Sequence, residues 1–136
     1  MKELTVEAEV CNIETVTDFI NSELDNIDCP MKTRMQIDVA IDEMFGNIAH
    51  YAYESGKGKA TVRIEFEKNP PAVIITFIDS GKPFNPLTIA EPDTTLSADE
   101  RKIGGLGIFI VKKTMDSIVY NYTNGQNVLS IKKVLG

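Results

Sequence analysis

Apolar and polar residues take turns at the start of the chain. Leu4, Val6, Ala8 and Val10 alternate with Thr5, Glu7 and Glu9, the period-2 signature of a strand with one buried face. The period then lengthens. Ile13, Val16, Ile20, Leu24 and Ile27 lie on one stripe of a helix that Asn12 is placed to cap, with Glu14 in its first turn. Pro30 marks a break, after which Ile37, Ile41, Met44, Ile48 and Ala52 form one face of a long helix from about Met31 to Tyr53. Gly56 and Gly58 end that helix, and alternation returns with Ala60, Val62, Ile64 and Phe66 set against Thr61, Arg63, Glu65 and Glu67.

Pro70-Pro71 bounds a turn, and Val73-Ile-Ile-Thr-Phe-Ile78 is apolar enough for a central strand covered on parts of both faces. Residues 85–103 hold prolines, Thr, Ser and mixed charges with little periodicity, which predicts a long loop of the kind that serves as a lid. A helix from about Leu106 to Asp116 and a hairpin follow. If Asn124-Gly125 is a type I′ turn, Tyr120 faces Leu129 and Ile118 faces Ile131, so apolar residues pair across the strands. The order β-α-α-β-β-lid-α-β-β predicts an α+β fold, a two-layer sandwich with helices on one face of a mixed, largely antiparallel sheet. A doubly wound fold needs alternating βα units and is disfavoured.

The 136 residues fit one domain spanning 1–136, large enough to bury about two-thirds of its unfolded surface. Composition, 43% apolar and 25% charged, is that of a soluble globular protein. A net charge of −6 argues against a broad nucleic-acid or anionic-membrane surface and favours a protein partner or small ligand. The first residues lack the apolar run of a signal peptide or membrane span, which points to the cytoplasm. There Cys11 and Cys29, without metal-ligand spacing, are expected as free thiols.

Three short blocks carry candidate chemistry. Glu43, Asn47 and His50 stand at i, i+4 and i+7 of the long helix, within about 60° of one another on a face bordering the apolar stripe. An Asn carbonyl is a hard ligand suited to Mg²⁺, and a carboxylate one turn away can take a proton; a solvated helix face is the plain alternative. Asp79 follows the apolar strand and Ser80-Gly81 permits a tight turn, so its carboxylate could meet a donor such as an adenine amine, or simply end the strand as an Asx turn. Gly104-Gly105-Leu106-Gly107 opens a helix whose amides suit phosphate, or is only a flexible helix start. His50 fits a rim hydrogen bond better than a chemical role, and Arg101 and Lys102 could close on a phosphate or stay solvated. No Walker A or protein-kinase glycine loop is present.

Together, Glu43-x-x-x-Asn47, Asp79-x-Gly81-x-Pro83-Phe84 and Gly104-Gly-Leu-Gly107-Ile108 resemble the N box and two glycine boxes of the GHKL ATPase superfamily. The segment Asn47–Tyr53, Pro83-Phe84 and the terminal Asn127-Val-Leu-Ser-Ile-Lys-Lys133 look more narrowly like the bacterial anti-sigma-factor serine kinases. That resemblance implies a Bergerat-type sandwich holding ATP and Mg²⁺ under a lid. Asn47 would be the Mg²⁺ ligand, Glu43 the general base, Asp79 the adenine contact and Gly81 the turn beside it. Gly104, Gly105, Leu106 and Gly107 would form the phosphate side. Where relatives often carry Gly-Thr to support adenine, this chain has Gly125-Gln126, so no residue is assigned there.

The resemblance further implies phosphorylation of a serine on a small STAS-domain antagonist, sequestration of a sigma factor and a homodimer. An ATP-binding switch with little or no kinase activity is the competing expectation. A histidine-kinase catalytic domain is disfavoured, since no upstream phosphoacceptor-histidine hairpin is seen.

Overall fold

The computed structural model describes residues 1–53, 57–88 and 105–135. Five strands, β1 (Lys2–Glu7), β2 (Lys59–Glu67), β3 (Ala72–Asp79), β4 (Ser117–Thr123) and β5 (Gln126–Val134), form one sheet in the order β1-β2-β3-β5-β4. Three helices, α1 (Ile13–Leu24), α2 (Met31–Asn47) and α3 (Gly105–Thr114), contribute to the core over one face.

Every pairing is antiparallel, so the sheet is not mixed as the sequence suggested. Two helices rather than one separate β1 from β2, and an even number of legs returns the chain reversed. The long connection through α3 starts β4 in the direction of β3, but the tight hairpin then inserts β5 between them. Asn124 and Gly125 both have positive φ, as a type I′ turn requires, and the expected pairs Ile118 with Ile131 and Tyr120 with Leu129 are formed.

The core lies where the two periodicities meet. Val16, Ile20 and Leu24 of α1 and Ile37, Ile41 and Phe45 of α2 are fully buried against Val62 and Ile64 of β2, Val73, Ile75 and Phe77 of β3 and Ile131 of β5. Phe45 and Phe77 each contribute on the order of 1.5–3 kcal/mol by leaving water. Elsewhere the expected patterns stop short. Val10 leaves the β1 alternation for a 3₁₀ turn (Val10–Asn12) and is exposed, and Phe66 is exposed where the buried alternation of β2 ends at Ile64. Asn12 precedes α1, yet its side chain donates to the Glu7 carbonyl (2.8 Å) instead of capping the helix, because the 3₁₀ turn runs directly into α1.

The long helix also changes form. α2 ends at Asn47, and Ile48–Ala52 form one wider π-helical turn. Both cysteines are free thiols, and burial pushes the Cys29 thiol above its ordinary range. Among the described residues no helix is long and apolar enough to cross a membrane.

Candidate functional site

On β3 the residues facing the helices are Val73, Ile75, Phe77 and then Asp79, so the carboxylate continues an apolar row at period 2. β5 repeats the arrangement with Ile131, Leu129 and then Asn127. Asp79 and Asn127 stand directly opposite in the ladder and are 5% and 6% exposed, two polar groups where the apolar floor ends. Above them opens a pocket of about 410 Å³, part of it open to solvent, lined from the sheet by Phe77, Leu129 and Tyr120 and from the helices by Met44, Asn47, Ile48 and Ala52. Lys82, Phe84 and Pro86 close another side. Mostly apolar walls with a few convergent polar groups are the usual character of a small-molecule site.

The carboxylate is held by local chain geometry. The Gly81 N–H and Asn127 Nδ2 both donate to Asp79 Oδ1, each at 2.9 Å. Oδ2 has no hydrogen-bond partner among the described residues. Gly81 is required for a reason other than turn conformation. The π-helical turn brings the Ala52 carbonyl over it, so that a Cβ at position 81 would overlap the Ala52 backbone, and the same carbonyl accepts from Lys82 N–H at 2.9 Å. Tyr53, just past that turn, donates its hydroxyl to the Lys59 carbonyl (2.6 Å) and accepts from Ser80 N–H (2.9 Å). The end of α2 is thereby tied to the turn after β3.

On the helix side of the pocket, Asn47 Nδ2 is buried with no hydrogen-bond partner among the described residues. Leaving such a donor unpaired costs about 1–3 kcal/mol, which a ligand acceptor would relieve. A phosphate oxygen suits Nδ2, and the amide oxygen is a hard ligand of the kind Mg²⁺ takes, so Asn47 fits both groups. Among the described residues no three His, Cys, Asp or Glu side chains gather at one point.

Glu43, one turn earlier, points elsewhere. Its carboxyl lies against Gly107 in the first turn of α3, so close that a Cβ there would overlap it. Burial first, and the Asp42 charge second, raise the Glu43 carboxyl above the ordinary carboxylate range, which makes it a better proton acceptor. The structure thus brings Glu43 to the start of α3, and Asn47 and Asp79 to one pocket. Gly105 and Leu106 begin α3, whereas Gly104, Arg101, Lys102 and the segment 89–104 lie outside the described residues. Lys112 of α3 donates to the Leu87 carbonyl (3.0 Å), joining the helix after that segment to the turn before it.

His50 lies in the π-helical turn rather than in α2 and is exposed, with its ring 5.9 Å from that of Tyr51. Tyr51 in turn packs near Phe84, centroid to centroid 6.1 Å. Sequence reasoning missed Asn127 and Tyr120. The signal was available in the hairpin register, because a residue two before Leu129 falls on the buried parity, and an Asn there needs partners.

A family model for the histidine kinase-like ATPase domain matches residues 6–133. A serine/threonine-protein kinase, BtrW of Bordetella bronchiseptica, is 23% identical over 100 residues, covering 74% of this chain and 70% of that protein. The solved catalytic domain of the histidine kinase ThkA superposes with a TM-score of 0.51 at 14% identity, covering 99% of this chain and 98% of that one, a likeness of fold.

Proposed function

The chain belongs to the histidine kinase-like ATPase domain family, and on that footing we propose that it is an ATP-dependent protein serine kinase and anti-sigma factor. It moves the γ-phosphoryl group of ATP to a serine of a STAS-domain antagonist. The observation that carries this reading is one pocket lined both by a fixed carboxylate, Asp79, and by a buried amide nitrogen, Asn47 Nδ2, that has no hydrogen-bond partner among the described residues. An adenine amine would donate to Asp79, Phe77 and Leu129 would supply apolar surface for the base, and Asn47 with the first turn of α3 would serve the phosphates. The similarity to a serine/threonine kinase supports the choice of acceptor.

In the transfer, the serine oxygen bonds to the γ-phosphorus as the bond to the β,γ-bridging oxygen breaks, releasing ADP, and Glu43 takes the hydroxyl proton. Its raised proton affinity suits that task. Asn47 would hold Mg²⁺, which supplies neutralisation of phosphate charge when bound. Catalysis of this kind rests on positioning and electrostatics, which the amides of α3 and the fixed side chains provide.

Calorimetry with Mg²⁺-ATP, followed by transfer of labelled γ-phosphate to a STAS-domain protein, tests the proposal. Binding and a labelled serine are expected. Absence of nucleotide binding refutes the site, and binding without transfer to any STAS protein refutes the kinase and leaves a nucleotide-dependent switch.

A further inference from the structure

Asn127 spends every hydrogen bond its side chain can make on the protein. Its Nδ2 donates to Asp79 Oδ1 and to the Lys82 carbonyl, each at 2.9 Å, and its Oδ1 accepts from Phe84 N–H (3.1 Å) and from the Tyr120 hydroxyl. Two donors and two acceptor sites are the full capacity of an amide. The orientation is therefore fixed. A flipped amide would set its NH₂ against two donors and its oxygen against a carboxylate and a carbonyl. Burial, with the Asp79 charge adding and a Phe84 backbone contact opposing, holds the Tyr120 phenol above its ordinary range, so it stays a donor to Asn127. Although Asn127 lines the pocket, it has nothing left to offer a ligand.

What it does instead is occupy Asp79. Gly81 N–H and Asn127 Nδ2 converge on Oδ1, so Oδ2 alone is left for the pocket, as a pure acceptor. We propose that Asn127, steadied by Tyr120, is a positioning residue that sets base selectivity. By reserving one oxygen of Asp79, it makes the pocket accept a purine with an exocyclic amine and reject one with a carbonyl at that place. The assignment rests on the nucleotide reading above. A residue that merely pinned β5 to the turn after β3 would need only its bonds to Phe84 and Lys82; the bond to the carboxylate is the one that concerns the base.

The test is calorimetric titration with Mg²⁺-ATP and Mg²⁺-ITP, which differ in that amine, on wild type, Asn127→Asp and Tyr120→Phe, each checked by thermal melting. Wild type should favour ATP by about tenfold or more, the scale of one hydrogen bond to a charged group. Asn127→Asp keeps the shape but sets a second carboxyl against Asp79. The two must share a proton, Asp79 ceases to be acceptor-only, and the ATP/ITP ratio should fall to within about threefold of unity. Tyr120→Phe removes one of the two bonds on the amide oxygen and should lower the ratio by about two- to fivefold.

A purely structural role weakens both nucleotides equally, so an unchanged ratio in both variants overturns the proposal, as does a wild type that binds the two alike. If Asn127→Asp fails to melt cooperatively, Tyr120→Phe decides. A wild type that binds neither nucleotide refutes the nucleotide site itself, a result distinct from equal binding.

Discussion

Replacing Gly81 by alanine adds one methyl group at a close backbone approach beside the pocket. The new Cβ would stand 2.5 Å from the carbonyl carbon of Ala52 and 2.6 Å from its Cβ, and would overlap its carbonyl oxygen. None of these atoms can swing aside as a side-chain end can. Ala52 is buried and held in the π-helical turn, and its carbonyl accepts from Lys82 N–H. Forcing the segments apart costs about 1–3 kcal/mol for overpacking. Loss of the Lys82 bond adds about 0.5–1.5 kcal/mol.

At about 2.1 cal/mol/K per residue, the 136 residues unfold with an entropy of about 0.29 kcal/mol/K, so a combined loss of about 2–4 kcal/mol lowers Tm by about 7–14 °C. Gly46→Ala is the internal control. It lies in α2 with nothing within 4 Å of the added methyl, and the gain in helix propensity of about 0.8–1 kcal/mol should raise Tm by about 3 °C. Calorimetric melting of both variants checks the pair. A Gly81→Ala protein melting within about 2 °C of wild type would refute the close-approach account.

Glu43→Gln should bind Mg²⁺-ATP nearly as wild type does while phosphoryl transfer falls by about 10²–10⁴-fold. Its stability has a definite sign: the folded chain holds the Glu43 proton more tightly than the unfolded chain, so this group's contribution declines as pH rises from 4.5 through the raised value. The variant should melt at or above wild type at neutral pH, with the difference closing in acid; a wild-type advantage at neutral pH that vanishes in acid contradicts the assignment. Asn47→Leu removes the unpartnered donor and should raise the ligand-free Tm by about 3 °C, an effect of about 1 kcal/mol, while abolishing the nucleotide-induced shift in melting. A lower ligand-free Tm with the shift intact would count against the role of Asn47.

Strong periodicity made most elements legible. The buried faces of α1, α2, β2 and β3 follow from apolar spacing, and the β4–β5 register follows from Asn124-Gly125 and the pairs it imposes. A largely antiparallel sheet was legible, but that every pairing is antiparallel was not, because strand neighbours depend on which edge the last hairpin joins. Likewise, a π-helical turn carries the same residues as an α-helical one, so the Ala52 carbonyl over Gly81 emerges only from tertiary contacts. Asp79 stood out because a charge ended an apolar run. Asn127 did not, because its meaning depends on a partner 48 residues away.

The place of β5 between β3 and β4 bears on the order in which the molecule can be made. Until residues 126–134 are in place, Val73–Ile78 is a bare strand edge, six residues without a charge and rich in β-branched side chains, and Asp79 is without Asn127. A chain still emerging from the ribosome therefore has an aggregation-prone edge and no finished pocket. Docking of β5 removes both deficits in one step, so that capture of nucleotide certifies a completed sheet.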